Sequence, residues 1–185
     1  MPKPIWGDLP PARIKMPEKK VEVQSPTVHA SQVLRDIGDN DIALNSVEME
    51  KRRMKPLFKH FNPEQISAKE LGRAGMLLYK TGFIDNLTAE LMNSAGEEFD
   101  KQGNVVDAEK PLNALEFFAG RIARIQEQSL QGDPYAKALL PDYIRTVHVI
   151  KNLYTFVNSG NSPEMVKMIA LEKQGKIPKG RPMRL

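Results

Sequence analysis

Residues 141–160 read PDYIRTVHVIKNLYTFVNSG, and their spacing decides the fold class. Tyr143, Val147, Ile150, Tyr154 and Val157 step by four, three, four and three, a heptad-like seam that closes at Gly160. Ile144, Val149 and Leu153 widen the stripe, the pattern of a helix buried on more than one side within a bundle. The seam is too short for a free coiled coil.

Working outward, the interior prolines fall where helices start or stop. Asp133-Pro134 places a cap before a first-turn proline, and Ser162-Pro163-Glu164 does the same for a last helix through Met165, Val166, Ile169 and Ala170 to Gly175. Asp107 and Pro111 open a helix whose apolar set is Leu112, Leu115, Phe118, Ala119, Ile122 and Ile125, running to Gly132. Asn62-Pro63-Glu64 reads as a cap, followed by the capping box of Ser67 and Glu70. Leu71, Ala74, Leu77 and Leu78 then share one helical face, and Ile84, Leu87 and Leu91 form another that ends near Gly96. Gly72 and Gly75, with Ala68, let a neighbouring backbone approach that helix closely. Glu98 to Val106 has the turn chemistry of a short loop or hairpin. Nearer the start, Val33, Leu34 and Ile37 make a short helix, Gly38-Asp39-Asn40-Asp41 a break, and Ile42 to Met54 a longer helix that Pro56 stops or kinks around Arg52.

Composition agrees with helices. Hydrophobic residues make up 41% of the 185 but aromatic residues only 6%, so aliphatic side chains must build the core. The chain has no cysteine, which removes disulfides, thiolate metal sites and cysteine nucleophiles. The start Met1-Pro2-Lys3-Pro4 has no apolar run behind it, and no stretch has the ~18 apolar residues of a membrane span. The expected location is the cytoplasm.

Charge and proline concentrate at the ends. Residues 1–26 and 176–185 hold eight of the 14 prolines and nine of the 27 Lys and Arg, and together carry +6, leaving −2 for the interior. Such ends bury too little apolar surface to fold alone and read as arms. The first arm contains the only tryptophan, Trp6, beside Ile5 and Leu9. That knot can fill a partner's pocket, as tryptophan does at binding hot spots, or fold back on the body. In the second arm Lys179, Arg181 and Arg184 can orient the chain on an acidic surface. On the body, Lys51, Arg52, Arg53, Lys55 and Lys59 form a basic run. Arg52, Lys55 and Lys59 fall on one helical face if the helix survives Pro56, which makes them the candidate anion-binding residues. The same cations would also complement the dipole at a helix C-terminus.

Catalytic chemistry is thinly represented. His29, His60 and His148 are far apart in sequence and lack metal-ligand spacing, and His148 between Val147 and Val149 reads as a structural histidine. Asp100, Gln102 and Asn104 alternate like a calcium loop, but Val105 and Pro111 stand where that loop needs Gly and Glu. Asp36, Asp39 and Asp41 read as a turn and helix cap. An enzyme would need carboxylates that folding brings together, such as Glu97 or Glu98 with Asp100.

The expectation is an all-α protein: a single compact helical bundle of about five to seven helices over residues 27–175, with extended basic, proline-rich arms at 1–26 and 176–185. Its function reads as a non-enzymatic adaptor or structural subunit of a larger complex, with no catalytic residues, cofactor or metal. Protein partners are expected at Ile5, Trp6, Leu9, Lys179, Arg181 and Arg184, and a second copy of the chain is a further candidate partner. Nucleic acid, bound by the arms and the Lys51–Lys59 patch, is the alternative, which the interior charge and the lack of aromatics among the cations disfavour.

Overall fold

The computed structural model describes residues 26–181, apart from 97, 100–104 and 108. The described residues form an all-α fold with α1 (Pro26–Ile37), α2 (Ser46–Lys51), α3 (Ala68–Lys80), α4 (Asn86–Asn93), α5 (Ala114–Leu130), α6 (Pro134–Asn158) and α7 (Pro163–Lys173). Short 3-10 turns at Asp41–Ala43 and Lys55–Phe58 flank α2. Two antiparallel pairs of two-residue strands complete it: β1 (Ile66–Ser67) with β4 (Pro111–Leu112), and β2 (Glu98–Phe99) with β3 (Val105–Val106). The second pair is the expected hairpin. The first brings together segments 45 positions apart, pairing Ile66 with Leu112 and Ser67 with Pro111.

Capping chemistry sets most boundaries. Ser67 accepts from the Glu70 amide while Glu70 accepts from the Ser67 amide, closing the capping box of α3. Asp85, Asn113, Asp133 and Ser162 cap α4, α5, α6 and α7 through their side-chain oxygens. Gly38 follows α1 at φ +66°, the left-handed conformation that ends helices cheaply only with glycine.

One core cluster draws on α1 to α6, with Leu44, Met49, Met54, Leu71, Phe118 and Leu153 almost fully enclosed. Helices α3 and α4 form an antiparallel hairpin in which Gly72 and Gly75 let Asn93 and Met92 approach the α3 backbone. Helices α5 and α6 form the longer hairpin, α1 lies on α5, and α4 packs on α6. Helix α7 stands outside this cluster and buries only Met165 and Glu172.

Five expectations need correction. The expected helix from Ile42 to Met54 is a 3-10 turn and the short α2, because the side chains of Asn40 and Asn45 each cap a new start. Ile42 is left 90% exposed. Asp107 and Pro111 do not open α5: Asp107 adopts φ +53°, Pro111 joins β4, and Asn113 is the cap. Asn62 caps a turn rather than a helix, its side chain accepting from the Glu64 amide, and α3 begins only at Ala68. On α4 the buried face is Thr88, Ala89 and Met92, which meets the glycines of α3, while Leu87 faces water. On α6 the seam is partly displaced. Val147, Ile150 and the widening residues Val149 and Leu153 are buried as expected, but Thr146 and Phe156 join the core face and Tyr143, Ile144, Tyr154 and Val157 only flank it. The tyrosines stay at the margin, where a hydroxyl can reach water. The helix also runs through Pro141, which removes one internal hydrogen bond without ending it.

Candidate functional site

The basic run expected to bind anions is built into a joint. Helix α2 ends at Lys51, Arg52 is its C-cap, Arg53 turns to φ +57°, and the chain re-enters a 3-10 turn at Lys55. Arg52, Lys55 and Lys59 therefore do not share a helical face. Arg52 pairs with Glu48 at 2.9 Å, donates to the Thr81 carbonyl at 3.3 Å and covers the Phe83 ring. The Lys55 ammonium donates to the carbonyls of Ser159 at 2.8 Å and Gly160 at 2.9 Å, and lies 5.3 Å from the centre of the Phe156 ring. A cation at the end of α6 complements the helix dipole, typically worth about 0.3–1 kcal/mol. Lys59 stays exposed at a groove it shares with His60 and Arg73.

Two carboxylates complete the joint. Glu50 accepts from the Ser162 amide at 2.8 Å, which ties α2 to the start of α7. Partial burial pushes the Glu50 carboxyl up, but donation from the Ser162 hydroxyl and amide and the charge of Lys55 outweigh it, so the net shift is downward. The buried Glu172 carboxylate pairs with Arg53 and also accepts from the Gly180 amide at 3.2 Å. The Arg53 guanidinium lies against Gly180 so closely that a Cβ there would be 2.6 Å from its Nε. The root of the C-terminal tail is thus held against the body by one carboxylate and one guanidinium, whereas Lys179 and Arg181 are exposed. Ile5, Trp6, Leu9 and Arg184 lie outside the described residues, as do Glu97 and Asp100.

Between α2 and the end of α6 is an open cleft of about 330 Å³ whose lining includes Asp41, Glu50, Lys55, Asn152 and Ser159. Two of its hydroxyls are engaged in structure: that of Ser159 donates to the Phe156 carbonyl and that of Ser162 accepts from the Met165 amide. An ionised Glu50 and a carbonyl-bound Lys55 form no nucleophile–base pair. His148 is buried, with Nε2 3.3 Å from the Ile37 carbonyl and 3.2 Å from that of Gly38, the structural role its apolar neighbours indicated. Among the described residues, no group of three or more His, Asp or Glu is placed to hold a metal ion, and no helix is long and apolar enough to cross a membrane.

Acid should loosen the joint. A carboxyl held below its ordinary value in the fold contributes stability above that value and loses it as pH falls through the folded one. Wild type should therefore be more stable than Glu50→Gln at pH 7, and the gap should close as pH falls below the ordinary glutamate value of 4.5. Urea unfolding of both proteins from pH 7 to pH 3 reads this directly; a gap that is constant with pH would show that Ser162 and Lys55 do not favour the charged form.

No protein family, characterised protein or solved structure matches the chain.

Proposed function

We propose that this protein is a non-enzymatic helical adaptor, a structural subunit of a larger assembly that docks through its terminal arms. The observation that carries the reading is the anchored tail. Glu172 and Arg53 hold Gly180 while Lys179 and Arg181 project into water. Fixing the arm at Gly180 lowers the ordering cost of binding, about 1–2 kcal/mol per backbone residue, for the cations on either side of it. Trp6 with Ile5 and Leu9 supplies the apolar anchor of the other arm, and the cations set orientation.

The body contributes shape. Arg52, Arg53 and Lys55 are committed to the joint, so the alternative, nucleic-acid binding, keeps the arms and only Lys51 and Lys59 of the basic run. Photo-cross-linking residues placed at positions 6 and 179 of the full chain, used in the cells that express it, distinguish the two. The expected outcome is discrete protein adducts from both positions, lost from position 6 when Ile5 and Leu9 become alanine. Adducts to nucleic acid, with affinity that falls linearly in log salt, would replace the adaptor reading with the alternative. Absence of adducts from both positions would reject arm docking.

A further inference from the structure

Of the three cations expected to bind anions, Lys59 is the one not tied to a carbonyl or carboxylate among the described residues, and the open groove it borders has a second, apolar component. Its volume is about 310 Å³, and it lies between the 3-10 turn at Lys55–Phe58 and helix α3. Phe61, Ile66 and Ala74 form a buried floor, while Leu57 at 37% exposure and the half-buried Leu77 present apolar surface to the opening. Lys59, His60 and Arg73 stand around it, all exposed. Lys59 and His60 make no hydrogen bond or ion pair with the described residues, and Arg73 only influences Glu109 electrostatically. The one carboxylate among the lining residues, Glu70, is occupied by the capping box, where its Oε2 accepts from the Ser67 amide at 3.1 Å and hydroxyl at 3.0 Å.

We propose that this groove docks an acidic segment of a partner protein, with one large apolar side chain seated between Leu57 and Leu77 and carboxylates facing Lys59 and Arg73. The proposal deepens the adaptor reading and rests on it. Charge complementarity selects the occupant. The chain's own arms carry the wrong sign, since residues 1–26 and 176–185 are both net positive. Nucleic acid fits poorly because Phe58 and Phe61 are 4% and 8% exposed, so neither offers a ring face for a base to stack on. The volume suits one large side chain, and the cations lie at the rim, where charges act chiefly on encounter and register.

The test is selection of random twelve-residue peptides on the immobilised full chain, followed by titration of the strongest peptides into the isotope-labelled protein. Enriched peptides should combine several Asp or Glu with a Leu, Phe or Trp, and should shift the amide resonances of residues 57–61 and 73–77. Lys59→Glu with Arg73→Glu should weaken them about tenfold or more, and Leu57→Asp to a similar extent. All three positions are solvent-exposed, so circular dichroism should be unchanged. Enrichment of basic or uncharged peptides, shifts elsewhere, or equal shifts from a single-stranded oligonucleotide would overturn the proposal. Binding that survives charge reversal but is lost on Trp6→Ala would overturn the groove while leaving arm docking intact.

Discussion

Phe118→Ala is expected to lower the unfolding free energy by about 3–5 kcal/mol, the range for truncating a buried phenylalanine. Phe118 is 1% exposed on α5 and sits where that helix meets α6. Its ring meets Tyr143 edge-on at 6.2 Å and Phe117 at 5.4 Å and 87°. Truncation removes the buried ring and both edge contacts. It also leaves a void in the buried core cluster, which helix backbones cannot close by small shifts. For a chain of this length each kcal/mol moves the melting temperature about 2–4 °C, so a fall of roughly 6–20 °C is expected by calorimetry. A loss below about 1 kcal/mol would mean that the α5–α6 seam can collapse around the gap.

Gly75→Val is the second large effect, expected to destabilise by about 2 kcal/mol or more, and its value lies in the contrast with Gly120→Ala. A Cβ on Gly75 would stand 2.8 Å from the Met92 Cβ and 3.3 Å from the Ala89 carbonyl oxygen. The nearest obstacle is a Cβ fixed to the facing backbone, not the free end of a side chain, so α3 and α4 would have to separate. Overpacking of this kind typically costs about 1–3 kcal/mol, and the separation would also loosen Met92, which is fully buried. Gly120 lies in α5 with nothing within 4 Å of its Cβ position. There alanine relieves the entropy cost of a helical glycine and should stabilise by about 0.5–1 kcal/mol. Urea unfolding of the two variants beside wild type should give opposite signs. If both stabilise, the α3–α4 contact is looser than the structure places it.

The two glycines also show how far a sequence can be read. That Gly72 and Gly75 serve close packing was legible because they interrupt a capped amphipathic helix, where only contact or strain would justify the propensity cost. Which helix comes close was not legible, since it depends on the turn at Gly82 returning the chain so that Met92 and Asn93 face α3. The candidate site divides in the same way. The basic run was visible as charge, and Pro56 correctly ended the helix near Arg52. Its employment was not visible, because the Ser159 and Gly160 carbonyls that receive Lys55 are more than a hundred positions away. Arg73 carries no pattern linking it to Lys59 and its neighbour His60; the 3-10 turn and α3 bring them together only after folding. The exposed face of Leu87 was misjudged because a periodicity count treats every apolar residue as buried, whereas the cap at Asp85 sets where the helix starts and hence which side faces inward.

By itself the sequence determined what is local. Caps, first-turn prolines, left-handed glycines and three-and-four spacing act within a turn or two of chain. These gave the helical class, most helix ends and the position of the short hairpin. Tertiary structure alone decided the β1–β4 pairing, the joint that ties α2 to α7 and the tail, and the groove at Lys59. Each depends on groups that approach only after hydrophobic burial has fixed the helices against one another, because a hydrogen bond or ion pair is set by distance in space and leaves no period along the chain.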